Sequence, residues 1–153
     1  MTPAGEGTGR TRVLGIDVGS VRIGLAVSDE TRTLASPLAT VPNDPRTLWA
    51  RLAREMEDRR VERVVIGLPR RLDGSEGDAA EHARRFAAEL ERRASAPIEF
   101  WDERFTTALA ERSLIESGVR RRRRRGVIDA VAATVLLQSW LDARRLATAR
   151  ARR

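Results

Sequence analysis

The stretch VLGIDVGSVRIGLAVS, residues 13–28, carries the pattern of two short strands joined by a tight turn. An apolar run ends at Asp17, and a Gly-Ser pair at 19–20 supplies the turn signal. From residue 22 to 28 the larger apolar side chains alternate with Gly24 and Ala26, as in a strand with two different faces. We therefore predict an antiparallel hairpin at the start of the fold.

Downstream of the hairpin, a third strand is followed by alternating helices and strands. A parallel arrangement is favoured for the later strands, because the run at 64–66 is apolar on both faces and is followed by a Gly and then a Pro. The pattern predicts an α/β fold: a mixed five-stranded sheet with three antiparallel strands first, then βαβ units, and helices on both faces. The predicted elements after the hairpin are a strand at 35–40, a helix capped at 43–45 and ending near 59, a strand at 61–68, a helix at 78–93, a strand at 98–101, a helix from Thr106 or Thr107 to about 118, and a helix from about 127 to 146.

A chain of 153 residues is long enough for one domain with a substantial core. Residues 1–10 are small and polar, and we expect a disordered N-terminal tail. The single domain is expected to span 11–146, followed by a basic C-terminal tail at 147–153. We expect the arginines of that tail to form an unstructured extension rather than a specific contact.

The amino-acid composition limits the kinds of catalytic and metal-binding site that the chain can form. The net charge is +7, and every basic residue is arginine, whose guanidinium grips phosphate through two parallel hydrogen bonds. The chain has no cysteine and a single histidine, His82, which argues against thiolate sites, imidazole zinc sites and a Ser–His triad. A bound metal would be held by oxygen, which favours Mg²⁺ or Mn²⁺. No apolar run has the length of a membrane span and residues 1–10 lack a signal-peptide core, so we expect a cytoplasmic protein with no membrane partner.

Three carboxylates stand where an acid is least expected. Asp17 ends a strand, Glu103 follows another, and Asp129 borders the apolar stripe of the last helix. Each has an ordinary explanation: a turn acid, a partner for Arg104, and a first-turn acid stabilised by the helix dipole. Together they suggest two-metal hydrolysis of phosphodiesters, in which carboxylates hold two cations roughly 4 Å apart.

Arginine-rich segments accompany these acids. The block that precedes Asp129 cannot be buried, and mutual repulsion predicts a solvated loop or a frayed helix end that meets phosphates. Two further arginines follow the strand at 61–68. The candidate nucleic-acid-binding residues are Arg22, Arg70, Arg71, Arg104, Arg120, Arg121, Arg122, Arg123, Arg124 and Arg125.

Four sequence blocks follow one another along the chain: GIDVG with RIGLAVSD at 15–29, VIGLP with DGS at 65–75, DERFTT with AE at 102–111, and DAVAA with LLQSWLD at 129–142. Together they resemble the YqgF/RuvX family, whose members are called Holliday junction resolvases or pre-16S ribosomal RNA nucleases. The resemblance runs from Val13 to about Leu141. It implies a ribonuclease H-like fold, and it implies that the family's catalytic and metal-binding acids fall on Asp17, Glu103 and Asp129.

Several functions remain open at this point. The leading hypothesis is a divalent-metal endonuclease that processes the 5′ end of pre-16S rRNA, as a monomer or homodimer. The alternative is a Holliday junction resolvase, which would need a dimer in order to cut two opposed strands. A sugar-kinase or actin-type phosphotransferase shares the Gly-x-Asp-x-Gly turn, but that architecture closes two such domains around ATP. A non-catalytic RNA-binding assembly factor would bind RNA without cleaving it.

Overall fold

The computed structural model describes residues 11–104 and 121–152, with the side chains of 121–128 excluded. The predicted helix starting at Thr106 or Thr107 lies outside the described residues, as does the N-terminal tail. The strands are β1 (Arg12–Val18), β2 (Arg22–Ser28), β3 (Ala35–Pro42), β4 (Val61–Leu68) and β5 (Ile98–Asp102). The helices are α1 (Pro45–Asp58), α2 (Asp78–Arg93) and α3 (Arg121–Ala151).

The five strands form one mixed sheet in the order β3-β2-β1-β4-β5. β1 pairs antiparallel with β2, and β2 with β3, while β4 is parallel to both β1 and β5. The predicted hairpin is confirmed: Asp17 lies opposite Gly24, and the Gly19 amide donates to the Arg22 carbonyl at 2.9 Å across the turn. The carboxyl ends of β1, β4 and β5 therefore share one edge, where ligands of open α/β sheets bind.

Strand alternation divides the interior into two apolar layers. In β1, Leu14 and Ile16 point to the layer formed with α1 and α2, whereas Val13 points to the layer formed with α3. β4 contributes to both layers and is buried from Val64 to Leu68, as predicted for a central parallel strand. The odd-numbered positions of β1, including Asp17, consequently belong to the face that α3 covers.

α1 begins where the sequence indicates. The Asp44 carboxylate accepts a hydrogen bond from the Arg46 amide and Pro45 is the first helical residue. This arrangement satisfies an otherwise unpaired amide of the first turn. The helix then buries Leu48 and Leu52 against the sheet.

α3 is longer at both ends than the sequence predicts. Its backbone is helical from Arg121, inside the arginine block, and continues to Ala151, beyond the predicted end at residue 146. Arginine, leucine and alanine are strong helix formers, so the intrinsic preference of these segments outweighs the repulsion between like charges. Of the two alternatives predicted for the arginine block, the loop is wrong for residues 121–125, whose backbone is helical. The expectation of an unstructured C-terminal extension is wrong for residues 147–151.

Two glycines let α3 lie close to the sheet. A Cβ atom on Gly24 of β2 would fall 1.9 Å from the Asp129 carbonyl oxygen, and one on Gly15 of β1 would fall 2.8 Å from the Leu137 Cβ. Both distances are far below van der Waals contact, so the helix backbone occupies the space that side chains would fill. Among the helices described, none combines the length and apolar character needed to cross a membrane.

Candidate active site

Two of the three predicted acids meet at the carboxyl edge of the sheet. Asp17 lies near the end of β1, and Glu103 follows directly after β5, where its amide donates to the Leu68 carbonyl of β4 at 3.2 Å. The Glu103 carboxyl donates a hydrogen bond to the Asp17 carboxylate. The side chains are brought together across β4, which separates β1 from β5.

Gly67 makes this contact possible. It lies on β4 between the two acids, and a Cβ atom there would fall 1.8 Å from the Glu103 Oε1 atom. The Glu103 carboxyl therefore occupies the volume that any larger residue at position 67 would need. The glycine thus decides where the second carboxyl of the pair lies.

The carboxyl pair holds a proton more tightly than ordinary acids do. Burial raises the pKa of Glu103 to about 9, with further increases from its hydrogen bond to Asp17 and from the charges of Asp17 and Asp102. Burial also raises the pKa of Asp17; the hydrogen bond from Glu103 opposes that shift, and the nearby charge of Asp129 adds to it. Two neighbouring acids that cannot both ionise cheaply are typical of functional sites.

Asp129 lies near this pair but has a different contact. Its Oδ2 atom accepts a hydrogen bond from the Arg22 Nε atom at 3.0 Å, an ion pair in which the Asp129 side chain is 22% exposed. Its charge nonetheless acts on Asp17. Within the described residues, no three acids are arranged to enclose one metal ion. The structure thus brings Asp17 and Glu103 into contact and sets Asp129 beside them.

Three of the predicted nucleic-acid-binding arginines lie near this edge. Arg22 pairs with Asp129, and Arg104 pairs with Asp102 at 2.8 Å. Burial would raise the pKa of Asp102, but the hydrogen bonds and charge of Arg104 outweigh it and the pKa lies below its ordinary value. The charge of Arg70 also acts on Asp102, so Arg70 lies near the same edge.

Arg71 follows Arg70 in the loop after β4. Its guanidinium lies close to Gly77, the residue that precedes α2. Arg120 is outside the described residues, and for Arg121, Arg122, Arg123, Arg124 and Arg125 the structure describes a helical backbone eight to four residues before Asp129.

The residues present fit a hard divalent cation. Asp17 and Glu103 supply oxygen donors, and their raised pKa values mark a place where a positive charge would be stabilised. Asp129 would add a third carboxylate if its contact with Arg22 were released. The donor set contains no sulfur or nitrogen, which agrees with Mg²⁺ or Mn²⁺ rather than zinc.

Sequence reasoning missed two features of the site. The ion pair between Arg22 and Asp129 joins residues 107 positions apart, and Arg22 was assigned to nucleic acid alone. The roles of Gly24 and Gly67 were also missed. The available signal was a glycine inside each strand, which often marks close approach of another backbone or side chain.

Comparison with known proteins agrees with this architecture. A protein of Mycobacteroides abscessus named "Putative pre-16S rRNA nuclease" is 48% identical over 146 residues, covering 94% of this chain and 88% of its own length. Proteins with the same name from Paracoccus denitrificans and Anaeromyxobacter sp. are 48% and 46% identical, covering 85% and 87% of this chain and 83% and 98% of their own lengths.

A solved structure of Thermus thermophilus RuvC bound to a Holliday junction substrate superimposes with a TM-score of 0.53 at 20% identity, covering 88% of this chain and 96% of that one. This likeness concerns the fold, which is ribonuclease H-like. The family model described as "RuvX: Holliday junction resolvase" matches residues 11–143. From this match and the identity to its relatives, the chain belongs to the RuvX family.

Proposed function

We propose that this protein is a divalent-metal-dependent endonuclease acting on structured nucleic acid in the cytoplasm, and that its substrate is the 5′ end of precursor 16S rRNA. The observation that carries the proposal is the contact between the half-buried side chains of Asp17 and Glu103, with Asp129 beside it. The relatives named for pre-16S rRNA support the choice of RNA, since they match almost the whole chain.

In this proposal Asp17 and Glu103 would hold a divalent cation, Mg²⁺ or Mn²⁺, in place of a proton. Asp129 would be a third ligand if its side chain were released from Arg22. When bound, such an ion lowers the pKa of water and stabilises negative charge on a phosphodiester. Partial burial of the two carboxyl groups strengthens the electrostatic interactions between them and any bound charge.

The arginines at the rim would bind the substrate backbone. Arg22, released from Asp129, has a guanidinium suited to a phosphate oxygen next to the reacting group. Arg70, Arg71 and Arg104 lie near the end of β4 and β5, and Arg121–Arg125 extend from the start of α3. Contacts of this kind position a nucleic acid without reading its sequence, and they leave the choice of substrate to its shape.

A four-way DNA junction is the second candidate substrate. It is favoured by the family model's description and by the likeness in fold to the RuvC complex. Symmetric cleavage of a junction requires two active sites, so this function needs a homodimer. A measured solution mass of a monomer, in the presence of junction DNA, would exclude symmetric resolution.

Replacing Asp17 with asparagine tests the proposal directly. Asp17→Asn keeps the shape of the side chain but removes the negative charge that would hold the cation. Cleavage of a precursor rRNA fragment with Mg²⁺ or Mn²⁺ should therefore fall by more than about 100-fold. Loss of a residue that only supports a metal ligand costs about 10- to 100-fold, and loss of the ligand itself should cost more. RNA affinity should stay within about twofold, because arginines carry the binding.

Asp58→Asn is the matched control, since Asp58 is an exposed residue at the end of α1, on the other face of the sheet. It should cleave like the parent. Equal cleavage by Asp17→Asn and the parent would refute the site. Tight RNA binding by the parent without any cleavage would identify a non-catalytic binding protein instead.

A further inference from the structure

An arginine-lined cleft lies away from the acids, against the second half of α3. It encloses about 460 Å³ between α3 and the turn that joins β2 to β3. This cleft, called here the distal cleft, is lined by Thr31, Arg32, Trp140, Leu141, Arg144, Arg145, Thr148, Ala149 and Arg152. Four of its nine lining residues carry a positive charge.

Helical spacing builds the positive wall of the distal cleft. Trp140, Arg144 and Thr148 recur every four residues along one stripe of α3. Arg152 lies directly after the end of the helix and continues this spacing, since its amide donates to the Thr148 carbonyl at 3.2 Å. Arg144 and Arg152 are eight residues apart, about 12 Å along the helix at 1.5 Å per residue. The stripe thus presents two guanidinium groups with a hydroxyl side chain between them.

The charges in the distal cleft are incompletely balanced. Arg32 is paired with Glu62 at 2.6 Å, and Arg145 is only loosely paired with Asp142 at 3.7 Å. Within the part of the chain that the structure describes, neither Arg144 nor Arg152 has a carboxylate partner. The cleft therefore retains an excess of positive charge that an anion could neutralise.

The buried ring of Trp140 packs against an arginine that lines the distal cleft. The Trp140 side chain is 2% exposed, and the Arg144 guanidinium lies over its ring at 5.2 Å, with the Arg63 guanidinium at 6.0 Å. A cation held against an aromatic face loses less conformational freedom when it binds a ligand than a free side chain does. Arg144 is thereby held in place before any ligand arrives.

The helix dipole does not account for this arrangement. Basic residues in the last turn neutralise the C-terminal end of a helix, which explains Arg150. The effect is confined to the last turn, whereas Arg144 lies about two turns before the end of α3 at Ala151. The position of Arg144 therefore points to a partner outside the helix.

We propose that the distal cleft binds the phosphodiester backbone of the nucleic-acid substrate, as a second contact remote from the acids. The proposal rests on the proposed function for the nature of the substrate. Arg144 is 15 residues beyond Asp129 on the same helix, about 22 Å along its axis. One rigid helix thus joins the two sites, so that a long structured substrate touches both while a small one reaches the acids alone.

The test compares two double variants of the full chain with equal change in charge. Arg144→Gln with Arg152→Gln removes the stripe. Arg85→Gln with Arg92→Gln removes two exposed arginines of α2, on the other face of the sheet. Binding to a precursor rRNA fragment is measured as a function of salt, and each phosphate contact contributes about 0.9 to the slope of log affinity against log salt.

We expect the stripe variant to lose about 1 to 2 units of slope and the α2 variant less than about half a unit. Arg144→Lys with Arg152→Lys should keep most of the salt dependence, because lysine retains the positive charge that contacts the phosphates. An equal loss in both glutamine variants, or no loss in either, would overturn the proposal. Lost binding to phosphatidylserine vesicles with unchanged RNA binding would assign the cleft to lipid and overturn it as well.

A cleavage assay tests the distal cleft and the acidic site independently of each other. At saturating RNA the stripe variant should cleave at the parent rate, since its acids are intact. If Asp17→Asn is inactive and the stripe variant binds normally, the distal cleft alone is refuted. If Asp17→Asn cleaves normally while the stripe variant binds weakly, the active site is refuted and the cleft stands.

Discussion

At the scale of single residues, the site depends on a glycine, which has no side chain, as much as on the carboxyl groups themselves. Gly67 stands between β1 and β5, and its lack of a Cβ leaves the volume that the Glu103 carboxyl fills. The contacting atom is the end of a flexible side chain, so a methyl group there would displace the carboxyl at little cost to the fold. The catalytic consequence should be larger than the structural one.

We expect Gly67→Ala to lower cleavage about 10- to 100-fold, similar to losing a partner that orients a metal ligand. The free energy of unfolding should change by less than about 1 kcal/mol, because Glu103 can move. In a Glu103→Gln background the same change should cost no further activity, since the displaced group is already disabled. Additive losses in the double variant would show that Gly67 acts through something else.

At the scale of elements, α3 is the part that completes the site. It packs on β1 and β2 through small residues, and this close approach places Asp129 opposite the end of β1. The same helix presents the distal cleft through its second half. The packing of α3 on the sheet therefore sets the geometry of both the acidic site and the distal cleft.

Gly24→Ala should destabilise the fold more than Gly15→Ala. At Gly24 the new methyl group would meet the Asp129 carbonyl oxygen at 1.9 Å, so the helix backbone must move. At Gly15 it would meet the Leu137 side chain at 2.8 Å and the Ala133 carbonyl at 3.2 Å, a milder conflict. We expect losses of about 3 and about 1 kcal/mol, measured by urea unfolding. A larger loss of unfolding free energy for Gly15→Ala than for Gly24→Ala would show that α3 does not pack most closely on the sheet at Gly24.

At the scale of the whole molecule, the carboxyl pair ties stability to pH. The pKa of Glu103 rises from 4.5 to about 9 on folding, and that of Asp17 also rises. Between these pH values the folded protein binds more protons than the unfolded chain does. By linkage, the free energy of unfolding must decrease as pH rises through this window. Carboxylates with lowered pKa values, such as Asp29 and Asp102, act in the opposite direction but at more acidic pH.

We therefore expect the metal-free protein, with a chelator present, to lose stability from pH 5 to pH 9. The variant Glu103→Gln should show a clearly shallower decrease, because its amide has no proton to lose. Mg²⁺ or Mn²⁺ should stabilise the parent more at pH 8 than at pH 5, where the proton competes with the ion. Parallel curves for parent and variant would mean that Glu103 titrates like an exposed acid.

The local patterns of the sequence were sufficient for most of the fold. Alternation in residues 22–28, the cap at Asp44 and the apolar run at 64–66 are short-range signals, and the corresponding elements lie where they indicate. The extent of α3 was underestimated, because repulsion among arginines was weighted above their helix propensity. Identifying the three acids as candidates also needed only their positions at strand ends and on a helix stripe.

The sequence by itself determined the element order, the two faces of each strand and the oxygen-only set of candidate ligands, because these follow from neighbours in the chain. Tertiary structure decided which groups touch. The contact of Asp17 with Glu103, the pairing of Asp129 with Arg22 and the room left by Gly67 join positions far apart in sequence. Such contacts depend on how strands order within the sheet and how closely a helix lies on it, and both are set by packing of the whole molecule.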